Sequence, residues 1–220
     1  MAETRMDDII DGLADRLVPV RRLRPPLLRA AQWLAGLVAL AATFYVVIGG
    51  DAGLMGTRAY VLPAFVAAVA TAVLAAIAAF QLSVPDRSDR WALLPLPTFA
   101  LWLALSGLGC LADLGVAGTW GESFAEMQEC LLVILSSAIP LSLLMVLMLR
   151  RARPERFGPV ALAGGIASAA AAGAVLMLVH PHTSTLLDLL VHGLCIAIVI
   201  GLNAVLGGRL LGRTHQREAA

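Results

Sequence analysis

Three cysteines (Cys110, Cys130, Cys195) and three of the 4 histidines (His180, His182, His192) are the residues of this chain best suited to binding or reacting with a small partner. Thiolate and imidazole groups select metals such as Zn or Cu(I) over Mg or Ca. Two thiols facing an oxidising compartment can instead join in a disulfide. Spacing does not choose between these chemistries. No CxxC or HxxxH occurs, and His180-Pro181-His182 is two histidines around a turn. A plainer reading makes Cys110 and Cys195 small packing residues and the histidines interfacial hydrogen-bonding groups. Nothing points to an enzyme or a resident cofactor. No glycine-rich phosphate loop follows a strand, no nucleophile elbow is present, and the chain has no lysine.

Whether these residues can meet depends on the elements that carry them. The 220-residue chain is 60% hydrophobic and 14% charged, against about 25% charged for a soluble domain. Its mean hydropathy is +0.86. Six apolar runs stand out, at 29–50, 59–83, 92–112, 128–149, 159–180 and 188–209. Each is long enough to cross a hydrocarbon core of about 30 Å as a helix at about 1.5 Å per residue. A helix satisfies its own backbone hydrogen bonds, which lipid cannot do. The expected fold is therefore all-α, a six-span membrane protein.

The arginines orient it. All 16 basic residues are Arg, and only Arg58 falls in a loop on the opposite side from the rest. The positive-inside rule then places both termini in the cytoplasm. Residues 1–28 form a cytoplasmic arm, 29–212 the membrane domain and 213–220 a cytoplasmic tail. Trp33, Trp91 and Trp120 near span ends are expected as interface anchors. This topology sets Cys110, Cys130, His180, His182, His192 and Cys195 at similar depth near the outer face. The basic residues lie beside the membrane and net charge is +1, so direct nucleic-acid binding is not expected.

The arm carries the other candidate site. Residues 4–18 read as an amphipathic helix, with Met6, Ile9, Ile10, Leu13 and Leu17 at helical spacing. Asp7, Asp8, Asp11 and Asp15 fill much of the remaining surface, and Pro19 ends the pattern. A helix this short is marginal alone in water and needs a surface to cover its apolar stripe. Membrane-surface helices are usually basic; this one is acidic. A protein groove with a basic rim fits it better. The competing possibility is that the arm folds back onto its own loops, where Arg87, Arg90 and Arg150–Arg156 supply positive charge.

Several runs resemble one family: DDIIDGLADRLVPVRRLRPP, DRSDRWALLPLP, SGLGCLAD, ECLLVILSSAIP, LRRARPERFGPVALAGGIA and HPH. They are similar to the NrsF-type membrane proteins, over nearly the whole chain. The resemblance implies a six-span inner-membrane anti-sigma factor holding an extracytoplasmic-function sigma factor at the membrane, away from RNA polymerase. It implies that the arm is the contact, with Ile9, Ile10, Asp11, Leu13, Asp15 and Leu17 as binding residues. It also implies sensing of oxidants or heavy metals through two cysteines. Cys130 matches the first; at the second position the chain has His180-Pro181-His182. Cys110, Cys130, His180, His182 and His192 are thus the expected sensing set, with no metal assigned. The alternative function is a small-solute or metal transporter, or a membrane assembly factor. Transport would call for polar groups at the bilayer midplane, where Ser136, Ser137, Ser142 and Asn203 are the main ones.

Overall fold

The computed structural model describes residues 6, 10–15, 22–49, 60–117, 124–179 and 186–207; for Cys110 and residues 112–117, 124–127, 186–189 and 207 it describes the backbone alone. Among the described residues there is no strand. Six helices make the body: α1 (Pro26–Phe44), α2 (Val61–Leu82), α3 (Leu96–Ala117), α4 (Phe124–Arg150), α5 (Phe157–Val179) and α6 (Leu186–Leu202). α1 and α6 run on into π-helical turns, Tyr45–Gly49 and Asn203–Gly207, and a 3-10 turn, Asp89–Leu93, precedes α3. Five helical segments are long and apolar enough to cross a membrane: Pro26–Gly49, Val61–Leu82, Asp89–Gly109, Gln128–Arg150 and Phe157–Val179. The apolar stretch of α6, Leu190–Leu206, is shorter.

Local chemistry sets the ends. Pro26 opens α1, at a position whose N–H has no helical partner to lose. Gly49 ends its π-helical turn at φ +82, a conformation that costs a residue with a Cβ. α2 closes at Ser83, whose backbone N–H donates to the Ala79 carbonyl at 3.1 Å and whose hydroxyl donates to that of Phe80 at 2.7 Å. The chain reverses after α4 through Arg153 at φ 46. The buried Pro154 follows and blocks helical continuation.

α5 is the axis of the bundle, packed mainly on α2, α4 and α6. Its run Ala161–Gly173 presents almost no large side chains, so neighbouring backbones come close. A Cβ on Gly165 would lie 3.1 Å from both the Cα and the carbonyl oxygen of Ile200 on α6. Polar side chains inside the bundle use helix carbonyls: Thr71 on Ala67 at 2.7 Å, Ser137 on Val133 at 2.7 Å and Ser168 on Gly164 at 3.0 Å. Asn203 bridges helices instead, donating to the Ser142 hydroxyl at 2.9 Å and to the Val199 carbonyl at 2.8 Å. Many large aliphatics face outward, although Leu82, Leu141, Leu149 and Leu176 pack inside. Leu132, Leu135, Ile139, Leu143 and Leu147 form an exposed ridge along α4. Small and polar residues inside with leucines outside is the distribution a lipid solvent favours.

One expectation is corrected. Trp33 does not anchor an interface. It is fully buried, and its indole N–H donates to the Leu141 carbonyl on α4 at 3.1 Å. An internal acceptor is available there, so the indole has no need of the wet interface. Trp91 is half-buried in the 3-10 turn, and Trp120 lies outside the described residues.

Candidate functional site

Residues 10–14 of the arm are helical, with the Asp15 N–H donating to the Asp11 carbonyl at 2.9 Å, and Met6 is helical as well. Ile10 and Leu13, three residues apart in this helical segment, share one face. Met6, Ile10 and Leu13 are 60%, 55% and 62% exposed. Asp11 and Asp15 are exposed too. Ile9 and Leu17, the other expected contact residues, lie outside the described residues. For the part described, the apolar stripe exists and the chain's own body does not cover it.

One arginine of the basic loops is engaged elsewhere. The Arg156 guanidinium pairs with the Asp89 carboxylate and donates to the Arg87 carbonyl, tying the α4–α5 connection to the α2–α3 connection. The arm joins this end of the bundle through Pro25–Pro26, and Arg29 secures the joint. Arg29 is 5% exposed. It donates to the Ser83 hydroxyl at 3.2 Å and to the Met148 carbonyl at 2.6 Å, and its guanidinium carbon lies 4.8 Å from the centre of the Phe80 ring. It thus sits between the C-terminal ends of α2 and α4. Each helix end carries about half a negative charge in unpaired carbonyls. Those two ends and the ring face take the place of a carboxylate.

The sensing set divides. Cys130 is buried beside Val133, Ile134, Leu176, Val179 and Cys195 in one apolar cluster. A place near the outer face does not leave this thiol exposed: it is 6% exposed, because α4 turns it inward against α5 and α6. His192 is half-buried on α6. It lines a cavity that also touches Ile134 and Leu176 of the cysteine cluster. His180, His182 and the side chain of Cys110 lie outside the described residues. Among the described residues, no three His, Cys, Asp or Glu groups gather as a metal site. Cys195, Arg29 and the cavity wall escaped the selection of site residues. Cys195 looked like packing, Arg29 looked like one more positive-inside charge, and a cavity has no sequence signature.

A family model described as "NrsF: Negative regulator of sigma F" matches residues 13–212. No curated protein and no solved structure matches. The match spans all six helices and begins within the exposed arm, so the chain belongs to the NrsF family of negative regulators of a sigma factor.

Proposed function

We propose that this protein is a six-span inner-membrane anti-sigma factor whose cytoplasmic arm, residues 1–28, holds an extracytoplasmic-function sigma factor away from RNA polymerase. The observation that carries the reading is the uncovered stripe of Met6, Ile10 and Leu13 in a chain of this family. Ile9 and Leu17 extend the stripe. Asp11 and Asp15 face a basic rim on the partner, and the helix-in-groove mode supplies the contact. Both termini are cytoplasmic by the arginine asymmetry. Helix α6 with its π-helical turn covers residues 186–207, about 30 Å at helical rise, which supports a sixth crossing.

Release begins at the other membrane face. Cys110, Cys130, His180, His182 and His192 receive an oxidative, metal or envelope signal there, and repacking of the helices carries it to the arm. Such coupling requires two packings that the signal and the sigma factor favour unequally. Transport is the weaker reading, since Ser136, Ser137 and Ser142 lie on a helix whose outer ridge is aliphatic and Asn203 is engaged with Ser142. The test is co-purification. The full chain, solubilised from its own membranes, should bring down a sigma factor identified by mass spectrometry, and a preparation carrying none would reject the reading.

A further inference from the structure

The half of the bundle away from Arg29 contains a cavity of about 140 Å³. It is bordered by α2, α3, α4, α5 and α6, and most of its wall is aliphatic. The innermost wall is α5, where Ala172 and Leu176 are 1% and 4% exposed. Trp102 closes one side by packing on Gly173, where a Cβ would lie 2.6 Å from Cζ2 of the indole. Two lining residues are exposed, Leu103 on α3 and Gly193 on α6. A Cβ on Gly193 would meet nothing within 4 Å. The cavity therefore opens sideways between α3 and α6, and the missing side chain at 193 keeps that opening clear.

The position of the opening identifies what meets it. Leu103 belongs to a segment long and apolar enough to cross a membrane, and Gly193 to the apolar stretch of α6. Around them Leu101, Leu190 and Leu194 are exposed, so the surface there is aliphatic. In a spanning bundle the medium at this opening is hydrocarbon, not water. An apolar cavity of about 150 Å³ in a soluble protein stays dry, because water finds too few polar partners in it. A hydrocarbon chain needs no such partners, and its atoms restore the contacts that the lining of a void lacks. The wall carries no Asp, Glu or Arg, so it offers a lipid head group no counter-ion. The tail is the part of a lipid that fits.

We propose that this cavity takes up one acyl chain of a bilayer phospholipid, which enters between Leu103 and Gly193 and packs against Ala172 and Leu176 of α5. The proposal rests on the reading of the bundle as membrane-spanning. It stands whether or not the arm holds a sigma factor.

The test uses the full chain in lipid discs doped with a phosphatidylcholine that carries a diazirine partway along one acyl chain. Illumination attaches the chain to the residues it touches, and mass spectrometry of the digested protein locates the adducts. Bulk lipid should mark the exposed ridge of α4 at Leu143 and Leu147. An inserted chain should also mark Ala172 or Leu176, which bulk lipid does not reach. Gly193→Phe fills the opening and should lower the α5 adducts about tenfold while the α4 adducts stay as they were. Gly201→Phe places the same ring on α6 outside the cavity, again where an added Cβ meets nothing within 4 Å, and should change neither set. Ridge adducts without α5 adducts in the unmodified chain would overturn the proposal. So would α5 adducts that survive Gly193→Phe, or that fall equally in Gly201→Phe. A chain with no adducts on the α4 ridge either would reject the membrane-spanning reading, and the proposal with it.

Discussion

The Arg29 guanidinium donates to the Met148 carbonyl oxygen at 2.6 Å, joining the first turn of α1 to the last turn of α4 across 119 residues of sequence. The same side chain reaches Ser83 at the end of α2. One cation thereby closes three helices at the end of the bundle where the arm begins. An exposed ion pair contributes about 0–1 kcal/mol; a hydrogen bond to a charged group contributes about 1.5–3 kcal/mol. Arg29 is therefore a stronger fastener at this end than the exposed Arg156–Asp89 pair.

Arg29→Lys should lower stability by about 1.5–3 kcal/mol, because a buried cation remains while the planar fork that meets two acceptors is lost. Arg29→Met should be milder. It removes the cost of desolvating the charge, and an apolar group of similar volume often replaces a buried charge without penalty. Thermal unfolding in one detergent should rank wild type above Met above Lys. A Lys variant as stable as wild type would show that the paired hydrogen bonds contribute little.

Gly165 and Gly201 make a matched pair in α5 and α6. Gly165→Ala forces a Cβ to 3.1 Å from Ile200 backbone and should destabilise by about 1–3 kcal/mol. Gly201→Ala meets nothing within 4 Å and should be neutral or gain about 0.5–1 kcal/mol from helix propensity. Thermal unfolding of the two variants side by side checks both signs; equal effects would contradict the close α5–α6 approach.

The long elements were legible in the sequence because each apolar run carries charge only at its ends, as at Arg29, Glu129, Asp188 and Arg209, and α1 to α6 fall where those runs lie. The roles of single residues were not. Trp33 and Arg29 fit the statistics of interface residues, yet both are buried, because acceptors from helices distant in sequence are there to receive them. The arm's apolar face was legible from the spacing of Met6, Ile10 and Leu13. That the body leaves it uncovered required the structure. Cys130 was legible as a residue of interest, while its burial depends on how α4 is rotated against α5.

Burial of Cys130 has a kinetic consequence. In a background with Cys110 and Cys195 replaced by Ser, a maleimide should label Cys130 at least tenfold more slowly in the folded protein than after denaturation in SDS, since a thiol must be reached and ionised to react. Equal rates would mean that the cluster with Val133 and Leu176 opens readily.

The proposed six-span topology predicts a pattern of reporter fusions. Fusions after residues 118 and 184 should report the periplasm, and fusions after residues 88, 155 and 220 the cytoplasm. A cytoplasmic report at 118 would contradict the placement of the arm.

The central claim is that the apolar face of the arm is the sigma-factor contact, and one substitution tests it most directly. Leu13 is 62% exposed, so Leu13→Asp removes no packing from the body, and the protein should insert at wild-type levels. Burial of one leucine in a partner groove is worth about 1.5–3 kcal/mol, and about 1.4 kcal/mol is tenfold in affinity. The measurement is the equilibrium affinity of the solubilised full chain for the sigma factor it co-purifies with, wild type against Leu13→Asp. The account predicts at least a tenfold loss for the variant; retention of the sigma factor with unchanged affinity would contradict it.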